Sequence, residues 1–171
     1  MTQRNIVLIG FMGSGKSMTS KSLGQLLKRP VFSTDAIIEK KEGKSIPEIF
    51  AKKGEAYFRN LERVVVDELA GKQGVIIDCG GGVVLNPTSM TRLKKNGAVF
   101  FLHASAESVY AQIKHDKNRP LVNVVNPLER IRQLMEDRQP LYEQADYIIN
   151  ADFKTIEEIT KSVMEVLNDV E

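Results

Sequence analysis

Hydrophobic positions along the chain fall into short continuous runs, separated by longer stretches in which they recur every three to four residues. The short runs are residues 5–10, 31–34, 74–79, 98–102 and 147–150, several of them rich in Val and Ile. That is the pattern of strands in a parallel sheet covered on both faces. Helical periodicity marks residues 17–28, 35–42, 46–70, 87–95, 105–115 and 128–144, so the alternation predicts βαβ units and an open α/β sandwich. No fixed repeat or Pro/Gly/Ser linker divides the chain, and its 171 residues suit one domain. Residues 116–126 stand apart, being polar and containing Arg119-Pro120 between two helical patterns. A loop of this length is uncommon unless it is functional, so it reads as a mobile lid or as a plain surface excursion.

Composition narrows the classes of partner. Lys and Arg total 24 against 22 acids, and a net charge of +2 supplies neither a nucleic-acid stripe nor a membrane patch. Any anion must therefore be held by a few placed cations. The apolar runs are far shorter than the ~20 residues that span a bilayer. Strand-like sequence begins within a few residues of the N-terminus, which leaves no room for a signal peptide. With Cys79 as the single cysteine, no internal disulfide forms, and a reducing cytoplasm is the expected location.

The sharpest local signal is Gly10-Phe11-Met12-Gly13-Ser14-Gly15-Lys16-Ser17, which matches G-x-x-x-x-G-K-S between a strand and a helix. Its glycines let successive backbone N–H groups wrap a phosphate chain, and the following helix aims its positive end at the same anion. Lys16 is placed to reach the β- and γ-phosphates of ATP, and Ser17 to ligate magnesium. Gly13, Ser14, Gly15, Lys16, Ser17 and Met18 are the ATP-binding candidates in this run. Phe11 and Met12 read as packing residues.

Other positions carry two readings each. Glu55, Phe58, Arg59 and Glu62 share one helix face; Arg59 is either a guanidinium that Glu62 holds ready for a carboxylate, or half of an exposed ion pair. Gly80-Gly81-Gly82 follows a buried strand, where three glycines are costly unless something approaches the backbone closely, and ligands of open α/β sheets sit at such strand ends. Asp35 lies just past the second strand, as a group for an acceptor hydroxyl or as a helix N-cap. Arg138 sits late in a helical stretch ended by Pro140, as a ligand group or as a charge favourable to the helix dipole. His103, His115 and Cys79 read as structural or surface residues, because no histidine or cysteine stands at metal-ligand spacing.

Taken together these segments resemble shikimate kinases along nearly the whole chain. The points of resemblance are Gly10 to Ser17, Asp35 with Ile38-Glu39, Phe50-x3-Gly54-Glu55-x2-Phe58-Arg59-x2-Glu62, Gly80-Gly81-Gly82, Arg119-Pro120-Leu121 and Arg138-x-Pro140-Leu141-Tyr142. The resemblance implies a P-loop NTPase α/β/α sandwich whose five-stranded parallel sheet has the order 2-3-1-4-5, with a substrate subdomain at about 35–62 and a lid at about 116–126. It implies ATP-dependent phosphorylation of shikimate to shikimate 3-phosphate, with Mg2+, in a monomer that binds no nucleic acid and no membrane. Lys16, Asp35 and Arg119 would be catalytic. Asp35 would hold the ring hydroxyls, Arg59 and Arg138 the carboxylate, and Gly81 would donate a backbone contact. Arg119 would reach the phosphates, and the loop at 151–153 would face adenine. Gluconate-type and nucleoside monophosphate kinases share the cradle, as would a noncatalytic nucleotide-binding module.

One departure stands out. The family pattern usually has Asp-x-Asp after the second strand, where this chain has Ser33-Thr34-Asp35. P-loop enzymes hold magnesium with the cradle hydroxyl and a carboxylate from a neighbouring strand end. Asp78, at the end of the third strand, is the acid expected to take that role beside Ser17.

Overall fold

The computed structural model describes residues 3–170. Strands β1 Asn5–Ile9, β2 Val31–Ser33, β3 Ile76–Asp78, β4 Gly97–His103 and β5 Tyr147–Asn150 form one parallel sheet in the order β2-β3-β1-β4-β5. The helices are α1 Lys16–Leu27, α2 Thr34–Glu42, α3 Ile46–Ala70, α4 Pro87–Asn96, α5 Ala106–Ile113, α6 Pro127–Tyr142 and α7 Ile156–Val170. They cover both faces of the sheet, giving the three-layer sandwich and strand order implied by the resemblance. Among the described residues no helix is long and apolar enough to cross a membrane.

Every residue of the central strand β1 is buried, and its alternation assigns the two layers. Ile6 and Leu8 pack with Leu23 of α1 and with Ile159 and Val163 of α7. Val7 and Ile9 pack with Val65 and Val66 of α3, Leu93 of α4, Val109 of α5 and Ile131 of α6. Burying each such aliphatic side chain contributes about 1.5–3 kcal/mol, which is why uninterrupted apolar runs mark the strands. The register then aligns Ser33, Asp78 and Leu8 side by side across β2, β3 and β1. Three strand ends thus open at one level, next to the glycine-rich turn that follows β1.

Helix boundaries follow local chemistry. Ser33 caps α2 by accepting from Ala36 N–H, and Ser45 with Glu48 forms a capping box at the start of α3. The stretch 46–70 is not one helix, as its periodicity suggested. At Gly54 the backbone leaves the helix with φ 81° and ψ 171°, a conformation that favours glycine, and then resumes. Across this break the rings of Phe50 and Phe58 meet at 5.0 Å. Pro140 likewise does not end α6, which runs on to Tyr142. The bond lost at its missing N–H falls in the last turn on an exposed side. Tyr142 is buried and stacked on Phe101 at 4.9 Å, which anchors that turn.

Helix α7 was not foreseen by the periodicity reading, although its signals are present. Thr155 and Glu158 exchange capping-box hydrogen bonds, and Ile156, Ile159 and Val163 follow at helical spacing.

Candidate active site

The phosphate loop is shaped by its glycines. Gly13 and Gly15 adopt φ of 74° and 91°, and Gly15 is the N-cap of α1. Helix α1 therefore starts with its free N–H groups facing the cleft above the sheet. Lys16 is buried, and its ammonium donates to the carbonyls of Gly10 and Phe11 at 2.8 Å each. Burial lowers its pKa, opposed by Asp78 and Asp35.

One residue on, Ser17 Oγ donates to Asp78 Oδ2 at 2.6 Å. Asp78 closes β3 and is buried. Burial raises its pKa, against the pull of Lys16 and the hydrogen bond from Ser17. A hydroxyl and a carboxylate side by side are the oxygen donors magnesium takes from a protein when phosphate and water complete its shell. Ser17 and Asp78 therefore fit that ion. Ser33, Asp78's register partner on β2, has its hydroxyl engaged in capping α2. Among the described residues there is no group of three or more His, Cys, Asp or Glu placed to hold a metal without such help.

The acceptor side is assembled from four elements. Asp35 lies in the first turn of α2, two residues past the cap Ser33 rather than being the cap itself. Burial raises its pKa, against Lys16. Arg59 of α3 donates to Glu62 Oε2 at 2.9 Å and to Glu55 Oε1 at 3.3 Å. Glu62 is buried at 4% exposure, so this is not the solvated ion pair of the plainer reading. Burial pushes the Glu62 carboxyl up to about 7, with Arg59 pulling it down. Arg138 of α6 is equally buried and donates to Gly81 O at 3.4 Å, with Phe11 packed 5.8 Å beneath its guanidinium carbon. The Tyr142 hydroxyl donates to the same carbonyl.

The three glycines accommodate close approach, as expected, and the groups that approach are largely the protein's own. A β-carbon on Gly80 would stand 2.6 Å from Asp35 Oδ1, and one on Gly82 would stand 2.2 Å from Arg59 Nη1. Gly81 packs on the backbone of the phosphate loop, where a β-carbon on it would stand 3.4 Å from Met12 N. Glycine here lets the acid and the guanidinium lie against the main chain.

A single cleft of about 590 Å³ collects these groups at the carboxyl ends of the strands. Apart from the loop at 151–153, every site residue expected from the sequence lines it except Ser14, which is buried. Arg119 enters from the 116–126 segment, where its Nε donates to Asp116 Oδ2 at 3.0 Å. Val122 pins that segment to the core. Phe58 lines the cleft beside Arg59, on the face the sequence indicated; sequence reasoning missed Ile46 and Phe50 as the rest of this apolar wall, and the apolar pair at 46 and 50 on the first turns of α3 was its signal. It also missed Tyr142 as a donor. The loop at 151–153 does not line the cleft: Ala151 is buried, Asp152 accepts from Ser105, and Phe153 is 72% exposed. Cys79 is buried and free, with burial driving its thiol pKa well up, which suits packing rather than nucleophilic chemistry.

Comparison with known proteins agrees with this geometry. The chain is 44% identical over 161 residues to the shikimate kinase of Caldanaerobacter subterraneus subsp. tengcongensis, covering 94% of each. Its structure superposes on that of a shikimate kinase from Acinetobacter baumannii in complex with shikimate with a TM-score of 0.95, at 35% identity, covering 99% of this chain and 97% of the other. A gluconokinase from Sinorhizobium meliloti, covering 99% of this chain and 94% of its own, has a TM-score of 0.62 at 16% identity and shares the fold alone. With the shikimate kinase family model matching residues 12–168, the chain belongs to the shikimate kinase family.

Proposed function

We infer that the enzyme transfers the γ-phosphoryl group of ATP to a ring hydroxyl of shikimate, giving shikimate 3-phosphate, a step of aromatic amino-acid biosynthesis. The observation that carries this reading is the convergence of Lys16, Asp35, Arg59 and Arg138 on one cleft. An anion-binding helix start and a pair of arginines suited to a carboxylate thus lie on either side of a buried acid.

Each residue's role follows from its place. Backbone N–H groups of Gly13, Ser14 and Gly15 cradle the phosphates, and Met18, on the exposed side of α1, lies along the nucleotide. Lys16 exchanges its loop carbonyls for phosphate oxygens. Ser17 and Asp78 hold magnesium, which when bound neutralises phosphate charge. Arg59 and Arg138 grip the acceptor carboxylate through charged hydrogen bonds, with Glu62 orienting Arg59 and the backbone at Gly81 completing the pocket. Asp35 accepts the proton of the attacking hydroxyl as the oxygen–phosphorus bond forms and the bond to the β-phosphate's bridging oxygen breaks. Lys16 and Arg119 offset the charge that moves to the leaving oxygen.

The reading divides the chain into a P-loop domain with an acceptor subdomain at about 35–62 and a lid at about 116–126. A monomer suffices, since one chain supplies every group named, and a buried free thiol at Cys79 suits the cytoplasm. A coupled ADP-release assay over shikimate, quinate, gluconate and AMP tests the assignment. Turnover should be confined to shikimate, and preferential turnover of gluconate or AMP would overturn it.

A further inference from the structure

Two carboxylate oxygens on the acceptor side, Asp35 Oδ1 of α2 and Glu62 Oε1 of α3, are cut off from solvent and have no hydrogen-bond donor. Both face one point. A β-carbon on Gly80 would stand 2.6 Å from the first and 2.9 Å from the second, and glycine leaves that space open. The remaining oxygen of Glu62 is occupied by Arg59 Nη1 at 2.9 Å. Two ionised carboxylates converging in a dry site repel each other and lack donors, and this is the arrangement in which a carboxyl pair retains a proton.

We infer that Asp35 Oδ1 and Glu62 Oε1 hold one proton between them, directly or through a single water above Gly80, making Glu62 a positioning residue that aims Asp35 at the acceptor hydroxyl. The inference rests on the assignment of Asp35 to the acceptor site. With the proton residing on Glu62, Asp35 stays ionised and keeps its other oxygen for the hydroxyl. The charged and titratable groups facing the pair are Lys16 from the phosphate loop, Arg59 on α3, Arg119 from the 116–126 segment, Arg138 and Tyr142 from α6, and Asp78 and Cys79 from the end of β3. Burial raises both carboxyls, Glu62 to about 7, with Arg59 the main opposing charge at Glu62 and Lys16 at Asp35.

Retaining the proton leaves the pair with one negative charge, and losing it leaves two. A carboxylate arriving at Arg59 and Arg138 adds a further negative charge and so raises the pair's affinity for its proton. Acceptor binding therefore takes up a proton where the pH lies between the pair's apparent pKa in the free protein and its raised value in the complex, and acceptor affinity falls as pH rises through that window.

The test is calorimetric titration of shikimate in buffers of different ionisation enthalpy, from about pH 6 to about pH 9. Wild-type protein should take up a sizeable fraction of a proton per shikimate within that range, with affinity falling about tenfold across it. In Glu62→Gln a permanent amide donor faces Asp35 and the amide oxygen still accepts from Arg59, so shikimate should bind with no proton uptake and little pH dependence. Heats independent of buffer in the wild type, undiminished uptake in Glu62→Gln, or loss of binding by this folded variant would each overturn the shared proton. If wild-type protein bound no shikimate at any pH, the acceptor assignment itself would fall. The pair would then be judged on ligand-free protein, where an infrared pH titration should show a protonated-carboxyl band that Glu62→Gln removes; its absence from the wild type would refute the inference.

Discussion

Ser17 and Asp78, at the start of α1 and the end of β3, are joined by a hydrogen bond in which Ser17 Oγ donates to Asp78 Oδ2 at 2.6 Å. In the sheet register Asp78 stands directly beside Ser33, on strands about 4.8 Å apart, so an acid at either position faces the same oxygen donor of α1. Asp78→Asn is expected to raise the magnesium requirement sharply. Combining Ser33→Asp with Asp78→Ser should recover much of the loss, because Asp caps a helix about as well as Ser. Activity against magnesium concentration, together with Mn2+ binding followed by electron paramagnetic resonance, measures both. Unchanged metal dependence in Asp78→Asn would assign the ion to Ser17, phosphate and water alone.

Lys16→Ala removes the ammonium that the carbonyls of Gly10 and Phe11 hold in the phosphate loop. Its kcat should fall by roughly 10²–10³, the usual effect of deleting one preorganised donor to the transition state. Steady-state turnover of the purified, folded variant checks this, and near-normal kcat would take phosphoryl transfer away from this loop.

Arg59→Ala and Arg138→Ala should each weaken shikimate binding by about 1.5–3 kcal/mol, the value of a hydrogen bond to a charged group, while leaving ATP affinity nearly unchanged. Isothermal titration separates the two ligands. Arg59→Ala carries a second signature. Arg59 is the main group pulling the buried Glu62 carboxyl down from its raised value, so without it that carboxyl should titrate at higher pH still.

Gly82→Ala places a methyl group where the Arg59 guanidinium lies, 2.2 Å from Nη1. The displaced atoms are the end of a flexible side chain, so shikimate affinity should fall by more than folding stability does, the latter losing only what the strained Arg59–Glu62 contact contributes. Gly97→Ala is the contrast. Its methyl meets Leu93 O at 2.8 Å and Val7 Cγ2 at 2.9 Å, an overpacked contact that should cost about 1–3 kcal/mol of stability. Denaturant melts and acceptor titrations on both variants separate the effects, and equal destabilisation by the two would contradict this account.

Residues 116–126 carry Arg119 at the mouth of the cleft, held by Asp116, with Val125 fully exposed. Closure over ligands should slow amide hydrogen exchange in this segment when an ATP analogue and shikimate are both bound. Exchange there that is unaffected by ligands would leave the segment as ordinary surface.

The features legible in the sequence are those whose parts lie close together along the chain. The phosphate cradle is complete within Gly10 to Ser17, because glycine conformations, a strand end and a helix start act on neighbouring residues. The alternation of strands and helices was likewise readable from periodicity. Even α7 is written in Thr155-x2-Glu158 and the apolar spacing after it. Polarity along one helix, by contrast, does not say which acid will be buried. Glu62 reads equally as half of a surface pair, and only packing of α2, α3 and the strand end at Gly80 encloses it and brings it beside Asp35. The partnership of Ser17 and Asp78 depends in the same way on the register of β1 against β3, a relationship between residues 61 apart in the chain. The break at Gly54 interrupts a hydrophobic period that continues on both sides, and so leaves no trace in it. Local chemistry thus determined the glycine-rich turn and helix start proposed to hold ATP. Burial and long-range strand pairing decided which carboxylates meet Ser17 and Gly80 in the cleft, because both depend on what surrounds a side chain rather than on what precedes it.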